Sequence, residues 1–179
     1  MNATIRRGSA HDAQAVAGLH ALSWRTSYAG IVPEQALGDG LSEERHALWE
    51  LRLAADYGEP ANTPELLIAE QAGRAVGFAY LVPQADGRVL LDNLHVEPGL
   101  TGGGIGRALL GAARSHVARQ HPGADLYLEV LRDNTRAVAF YEREGGLRTA
   151  EQEGVFPGGF VLPEYEYTWA AADRDQPTS

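Results

Sequence analysis

Apolar residues recur along this chain with two periods, near two and near four residues, and the changes between them predict its elements. Residues 3–7 alternate weakly and predict a short strand. Ser9, with Asp12 three residues on, has the pattern of a capping box, in which each side chain satisfies the other residue's backbone N–H at a helix start. The helix expected next carries Val16, Leu19 and Ser23 on one side, sets Trp24 and Tyr28 one turn apart, and ends at Gly30. Helical stretches are expected over 33–38 and 42–56, then a loop over 57–64, where Gly, Pro and Asn concentrate. The pattern then turns to strands over 66–70, 75–82 and 89–96, the last stopped by Pro98 and Gly99. Ile105, Leu109, Ala113 and Val117 at four-residue spacing predict an amphipathic helix from Gly104 to about Gln120. A strand over 126–131, a helix over 134–144 closed by Gly145-Gly146, and strands near 147–156 and 162–169 complete the series.

This order predicts an α/β domain, a central mixed sheet with helices on its faces, spanning residues 1–172 and followed by a polar, frayed tail over 173–179. No repeat or linker divides it. The 179 residues suffice for a core without staples. There is no cysteine, which excludes disulfides and thiolate metal sites and fits a reducing cytoplasm, the expected location. No apolar run follows the N-terminal Arg6-Arg7 pair as in a secretory signal, and none is long enough to cross a bilayer. Fifteen basic against twenty-four acidic residues give a net charge of −9. That balance disfavours nucleic acid and anionic membranes as partners and favours a cation such as an amine.

The chemistry begins at Thr101-Gly102-Gly103-Gly104-Ile105-Gly106-Arg107, between a strand and a strong helix. Unpaired N–H groups and the positive end of the helix dipole meet there, and glycines let an anion reach the backbone. The segment is a candidate phosphate cradle, with Arg107 as an added charge. It is not a dinucleotide fingerprint, since the third position is Arg107 or Leu109 in the registers that fit, and no Gly-Lys-Ser/Thr marks a P-loop.

Leu94-His95-Val96-Glu97-Pro98 followed by residues 101–110 resembles motif A of the GNAT acetyltransferase superfamily, with Gly104 and Gly106 at its glycines and Thr101 where the family usually has Gln or Arg. Asn134-Thr135-Arg136-Ala137-Val138-Ala139-Phe140-Tyr141, one helix and one strand later, resembles motif B. The resemblance implies the GNAT fold, a mostly antiparallel twisted sheet flanked by helices. It implies acetyl-CoA as co-substrate, bound by the backbone of Leu94, His95 and Val96, by residues 102–107 (Gly102, Gly103, Gly104, Ile105, Gly106, Arg107) with Thr101 beside them, and by Asn134. The implied reaction is direct acetyl transfer to a small-molecule or peptide amine, with Tyr141 as the acid that protonates the leaving thiolate. A homodimer is an arrangement the resemblance leaves open.

An amine arrives protonated, so a base must act first. Asp92, four residues before Val96, resembles the position of the base in histone-acetylating members. His95, able to titrate near neutrality, is the second candidate. The Glu that many members carry six residues before this Val is Leu90 here. Trp24-Arg25-Thr26-Ser27-Tyr28-Ala29-Gly30-Ile31-Val32-Pro33 resembles a segment that covers the acceptor groove in bacterial members. Trp24 and Tyr28 either line that groove or pack in the core. Glu164, with Glu166, either adds negative charge at the acceptor end or forms a solvated strand face. The six histidines are not spaced as a metal site, and no metal is expected. The rival to catalysis is a non-catalytic acyl-CoA-binding or sensor module.

Overall fold

The computed structural model describes residues 3–171; the frayed tail expected over 173–179 lies outside them. Seven strands form one sheet in the order β1-β2-β3-β4-β5-β7-β6. They are β1 (Thr4–Arg7), β2 (Glu65–Gln71), β3 (Arg74–Pro83), β4 (Val89–Val96), β5 (Leu126–Leu131), β6 (Leu147–Val155) and β7 (Val161–Trp169). Every pairing is antiparallel except β4 with β5. Four helices complete the domain: α1 (Ala13–Ser27), α2 (Leu41–Ala54), α3 (Ile105–Gln120) and α4 (Thr135–Arg143).

The amphipathic period of α3 is spent on the sheet. Ile105, Leu109, Ala113 and Val117 are buried against Leu67, Val76, Ala79, Leu91 and Leu128, with Tyr141, Tyr167 and Trp169 extending this core toward α4. The opposite face of β2–β4 is covered by α1 and α2, where Val16, Leu19 and Trp49 pack on Ile68, Phe78 and Tyr80. The capping box at Ser9 and Asp12 forms, but on a 3-10 turn over Ala10–Asp12 that leads into α1. The stretch expected over 33–38 is likewise a 3-10 turn, Glu34–Leu37, and the 57–64 loop contains another at Pro60–Asn62. Runs this short tighten to i→i+3 bonding because too few residues are available to close α-helical rings.

Two irregularities shape the sheet around its centre. β4 and β5 pair only at Val89–Leu126 and Leu90–Tyr127, then diverge toward their C-terminal ends. On the other edge of β4 the register with β3 jumps from Tyr80–Asn93 to Leu81–Leu91, so Asp92 is an extra, bulged residue.

Candidate active site

The bulge decides which way the candidate bases point. Residues three apart on a regular strand lie on opposite faces. The extra residue at Asp92 breaks that rule, so Leu91 and Leu94 both join the core on the α3 side. Asp92 and His95 are thereby brought together on the α1–α2 side, where Arg52 of α2 lies 2.7 Å from Asp92 and Ser23 of α1 lies 2.8 Å from His95 Nδ1.

The divergence of β4 from β5 opens a gap along the free edge of β4. Glu97 donates its N–H to Val76 O at 2.8 Å, which makes Gly77–Val96 a wide pair. By the alternation of an antiparallel ladder, His95 then bonds across to Phe78, while the N–H and C=O groups of Leu94 and Val96 turn into the gap. The backbone contact expected of the three residues thus falls to Leu94 and Val96, and His95 offers its side chain.

The glycine turn stands at the mouth of this gap. Gly104 caps α3 with φ 84°, in the left-handed region, and carries no side chain to fill the space above it. Gly106 faces α4 and the end of β4: a Cβ there would make ordinary contact with the Phe140 ring at 3.4 Å and with Val96 at 3.7 Å. The first N–H groups of α3 have no side-chain cap. Arg107, expected to add charge to the cradle, is turned toward Glu144, with Nε 3.5 Å from Oε2. The cation at the rim is Arg136 of α4, whose Nη2 donates to Thr101 Oγ1 at 2.6 Å. Sequence reasoning missed it because the partners lie thirty-five residues apart. Its signal was the departure at Thr101 together with an arginine inside the second motif.

Tyr141 is 8% exposed, with its ring against Phe140, Tyr167 and Trp169. Its hydroxyl has no hydrogen-bond partner among the described residues. A core tyrosine would have found one. Burial, with Tyr28 adding, raises its pKa, so the phenol keeps its proton. Asn134 Oδ1 accepts from the N–H of Ala137 at 3.3 Å and caps α4.

On the α1–α2 side of the sheet, α1 and its C-cap supply Trp24 and Tyr28, α2 supplies Arg45 and β7 supplies Glu164. Trp24 and Tyr28 meet edge to face with centroids 5.0 Å apart, and the Arg45 guanidinium carbon lies 4.3 Å over the Trp24 ring. Burial first, then Glu164, pushes the Tyr28 phenol up to about 12. Glu164 is itself 8% exposed, and burial, followed by Glu129, raises its pKa. Of the two candidate bases, Asp92 is held by Arg52 and accepts from Asn93 Nδ2 at 2.8 Å. His95 stacks obliquely on His20 with centroids 4.9 Å apart, and its Nε2 has no hydrogen-bond partner among the described residues. Burial, with Arg45 adding, draws its pKa down to about 4. His20, whose Nδ1 accepts from Trp49 Nε1 at 3.0 Å, is depressed further by burial, with His95, Arg45 and Arg52 adding.

These two histidines make the fold acid-sensitive. Above their ordinary value of 6.5 both states hold them neutral. As pH falls below it, the unfolded chain takes up protons that the folded chain refuses. For His95 the loss of stability runs from pH 6.5 to about 4, and for His20 it continues lower. The slope is about 1.4 kcal/mol per pH unit for each histidine at most. Urea midpoints measured from pH 7.5 to 4.5 are expected to fall steadily, and less steeply in His95→Asn; equal slopes would remove His95 from this role.

Among the described residues no group of three or more His, Asp or Glu side chains gathers as metal ligands, and no helix is long and apolar enough to cross a membrane.

Comparison with known proteins places this geometry. A Mycobacterium tuberculosis protein described as a probable N-acetyltransferase is 29% identical over 147 residues, covering 80% of this chain and 79% of the relative. The mycothiol acetyltransferase of Propionibacterium freudenreichii is 41% identical over 99 residues, 52% of this chain. The spermine/spermidine N(1)-acetyltransferase of Bacillus subtilis is 34% identical over 80 residues, 41% of this chain. The chain spans only 30% and 53% of these last two relatives' lengths. The PaiA N-acetyltransferase of Thermoplasma acidophilum, crystallised with coenzyme A, shares the fold with a TM-score of 0.73 at 22% identity, over 95% of this chain and 99% of that one. Residues 19–146 match the family model described as acetyltransferase (GNAT) family. With the diverging β4 and β5, the glycine turn at the head of α3 and Tyr141 on α4, this match makes the chain a member of the GNAT acetyltransferase family.

Proposed function

We propose that the chain moves the acetyl group of acetyl-CoA directly to a primary amine within a ternary complex, without a covalent enzyme intermediate. The observation that carries the reading is the free Tyr141 hydroxyl on α4, a helix that is tied to the glycine turn through Arg136 and Thr101. Acetyl-CoA supplies an activated thioester. Leu94 and Val96 offer backbone groups to its pantetheine arm as a partner strand would. The N–H groups of residues 102–107 take the pyrophosphate, and the Leu94 and Val96 N–H groups are the donors for the negative charge that develops on the carbonyl oxygen. Tyr141 gives its proton to the departing sulfur. His95 takes the proton from the incoming ammonium on Nε2, with Ser23 fixing the ring. Asp92, paired with Arg52, holds α2 against the bulge. Ser23 is 5% exposed, too enclosed to attack a thioester, and the chain has no cysteine.

Titration calorimetry with acetyl-CoA, beside a thiol-release assay over a panel of amines, tests the reading. Binding with turnover and no acetyl adduct by intact mass is the expected result. A non-catalytic acyl-CoA-binding module has one observation in its favour, the neutralised Asp92, and binding without turnover on any amine would establish it. Within the same site, Arg136→Ala is expected to weaken acetyl-CoA about tenfold, through loss of one charged contact to phosphate. Unchanged affinity would take Arg136 out of the cradle.

A further inference from the structure

On the α1–α2 side of the sheet one cation lacks an ion pair, with only Glu44 acting on it from a distance. Arg52, two turns along α2, is matched by Asp92 at 2.7 Å. Arg25 is spent on the carbonyls of Leu37 and Gly38. Arg45 forms no ion pair with any described residue, and its Nε is buried without a hydrogen-bond partner. The Trp24 ring at 4.3 Å meets the face of the guanidinium, which uses none of its five N–H donors. Its charge is felt at His20, His95 and Tyr28, so it stands near the candidate base. Burial lowers its own pKa, against an opposing pull from Glu44.

A half-buried guanidinium without a partner costs stability, and a fork of unpaired N–H donors fits the two oxygens of a carboxylate. We propose that Arg45 receives a carboxylate of the acceptor, so that the substrate is a primary amine bearing a carboxyl group, an amino acid or a close relative, rather than a plain amine or polyamine. This rests on the acetyl-transfer reading. Ring contacts mark the axis of the site: Arg45 lies over Trp24, the Trp24 ring meets His20 at 5.9 Å, and His20 meets His95 at 4.9 Å. The carboxylate end therefore lies at Arg45 on α2, and the amine end toward His95 and Tyr141. Docking there also places a negative charge against the cation that adds to burial in depressing His95, which removes that second contribution when an acceptor is bound.

The test uses matched sets: an amino acid, its amide and its decarboxylated amine. Thiol release by the wild-type chain is expected to show kcat/KM at least tenfold higher for the carboxylate member. Arg45→Gln is expected to erase that preference while acetyl-CoA affinity by calorimetry stays unchanged, and Arg45→Lys to restore part of it. Equal or faster turnover of the amides and decarboxylated amines overturns the proposal, as does an Arg45→Gln variant that loses rate equally on all three. A readout without turnover stands beside these. N-acetyl amino acids, with CoA present, should raise the melting temperature of the wild-type chain more than their amides do, and should lose that advantage in Arg45→Gln; no difference in the wild type overturns the proposal. Failure of acetyl-CoA to bind would instead strike the acetyl-transfer reading itself.

Discussion

Tyr141→Phe is expected to lower kcat by roughly two to three orders of magnitude, the range that positioned proton transfer supplies, and to leave acetyl-CoA affinity nearly unchanged. The substitution removes one oxygen whose hydrogen bond no described residue provides, so the folded chain loses no internal contact. The ring keeps its places against Tyr167 and Trp169. What disappears is a proton donor that burial keeps protonated. Sulfur would then leave as a free thiolate or wait for water. Calorimetry beside thiol release separates the two effects, and a Tyr141→Phe chain that turns over at the wild-type rate would deny Tyr141 the acid's role.

Gly104→Glu is expected to abolish measurable acetyl-CoA binding, a loss beyond about a hundredfold. Two costs add. At φ 84° an L side chain is strained by about 1–2 kcal/mol, and a carboxylate placed where phosphate charge must sit repels it at close range. Space is not the obstacle, since a Cβ at Gly104 meets nothing within 4 Å. Gly104→Asn, which tolerates the left-handed region and adds no charge, is expected to retain most of the affinity. Normal binding by the Glu variant would show that the turn does not hold the pyrophosphate.

The elements were legible because each announces itself locally. The i, i+4 apolar stripe of α3, the glycines after α4 and the alternation of the strands are facts about neighbours in the chain. The two family motifs and the Trp24 segment were legible for the same reason, and the match over residues 19–146 bears out the family read from them. What escaped was everything made by distant partners. Asp92 and His95 share a face only because of a one-residue bulge that no periodicity marks. Asp92 is engaged by an arginine forty residues before it in the chain. Arg136 reaches Thr101 across the space between two helices, and the packing of Arg45 over Trp24 joins α2 to α1. Glu164, read from the sequence as either acceptor contact or solvated face, is buried on the sheet and so is not a solvated face.

The two rungs that join β4 to β5 have a mechanical meaning. Five other pairings, each longer, make the strands on either side into two stiff leaves. The leaves share a spine only two residues long, so the sheet is expected to bend most easily beside the gap between β4 and β5. A pantetheine arm lying in the gap would act as the missing strand, binding one leaf to the other. The co-substrate would then also be a structural member: binding would stiffen the molecule along its own seam, and release would loosen it.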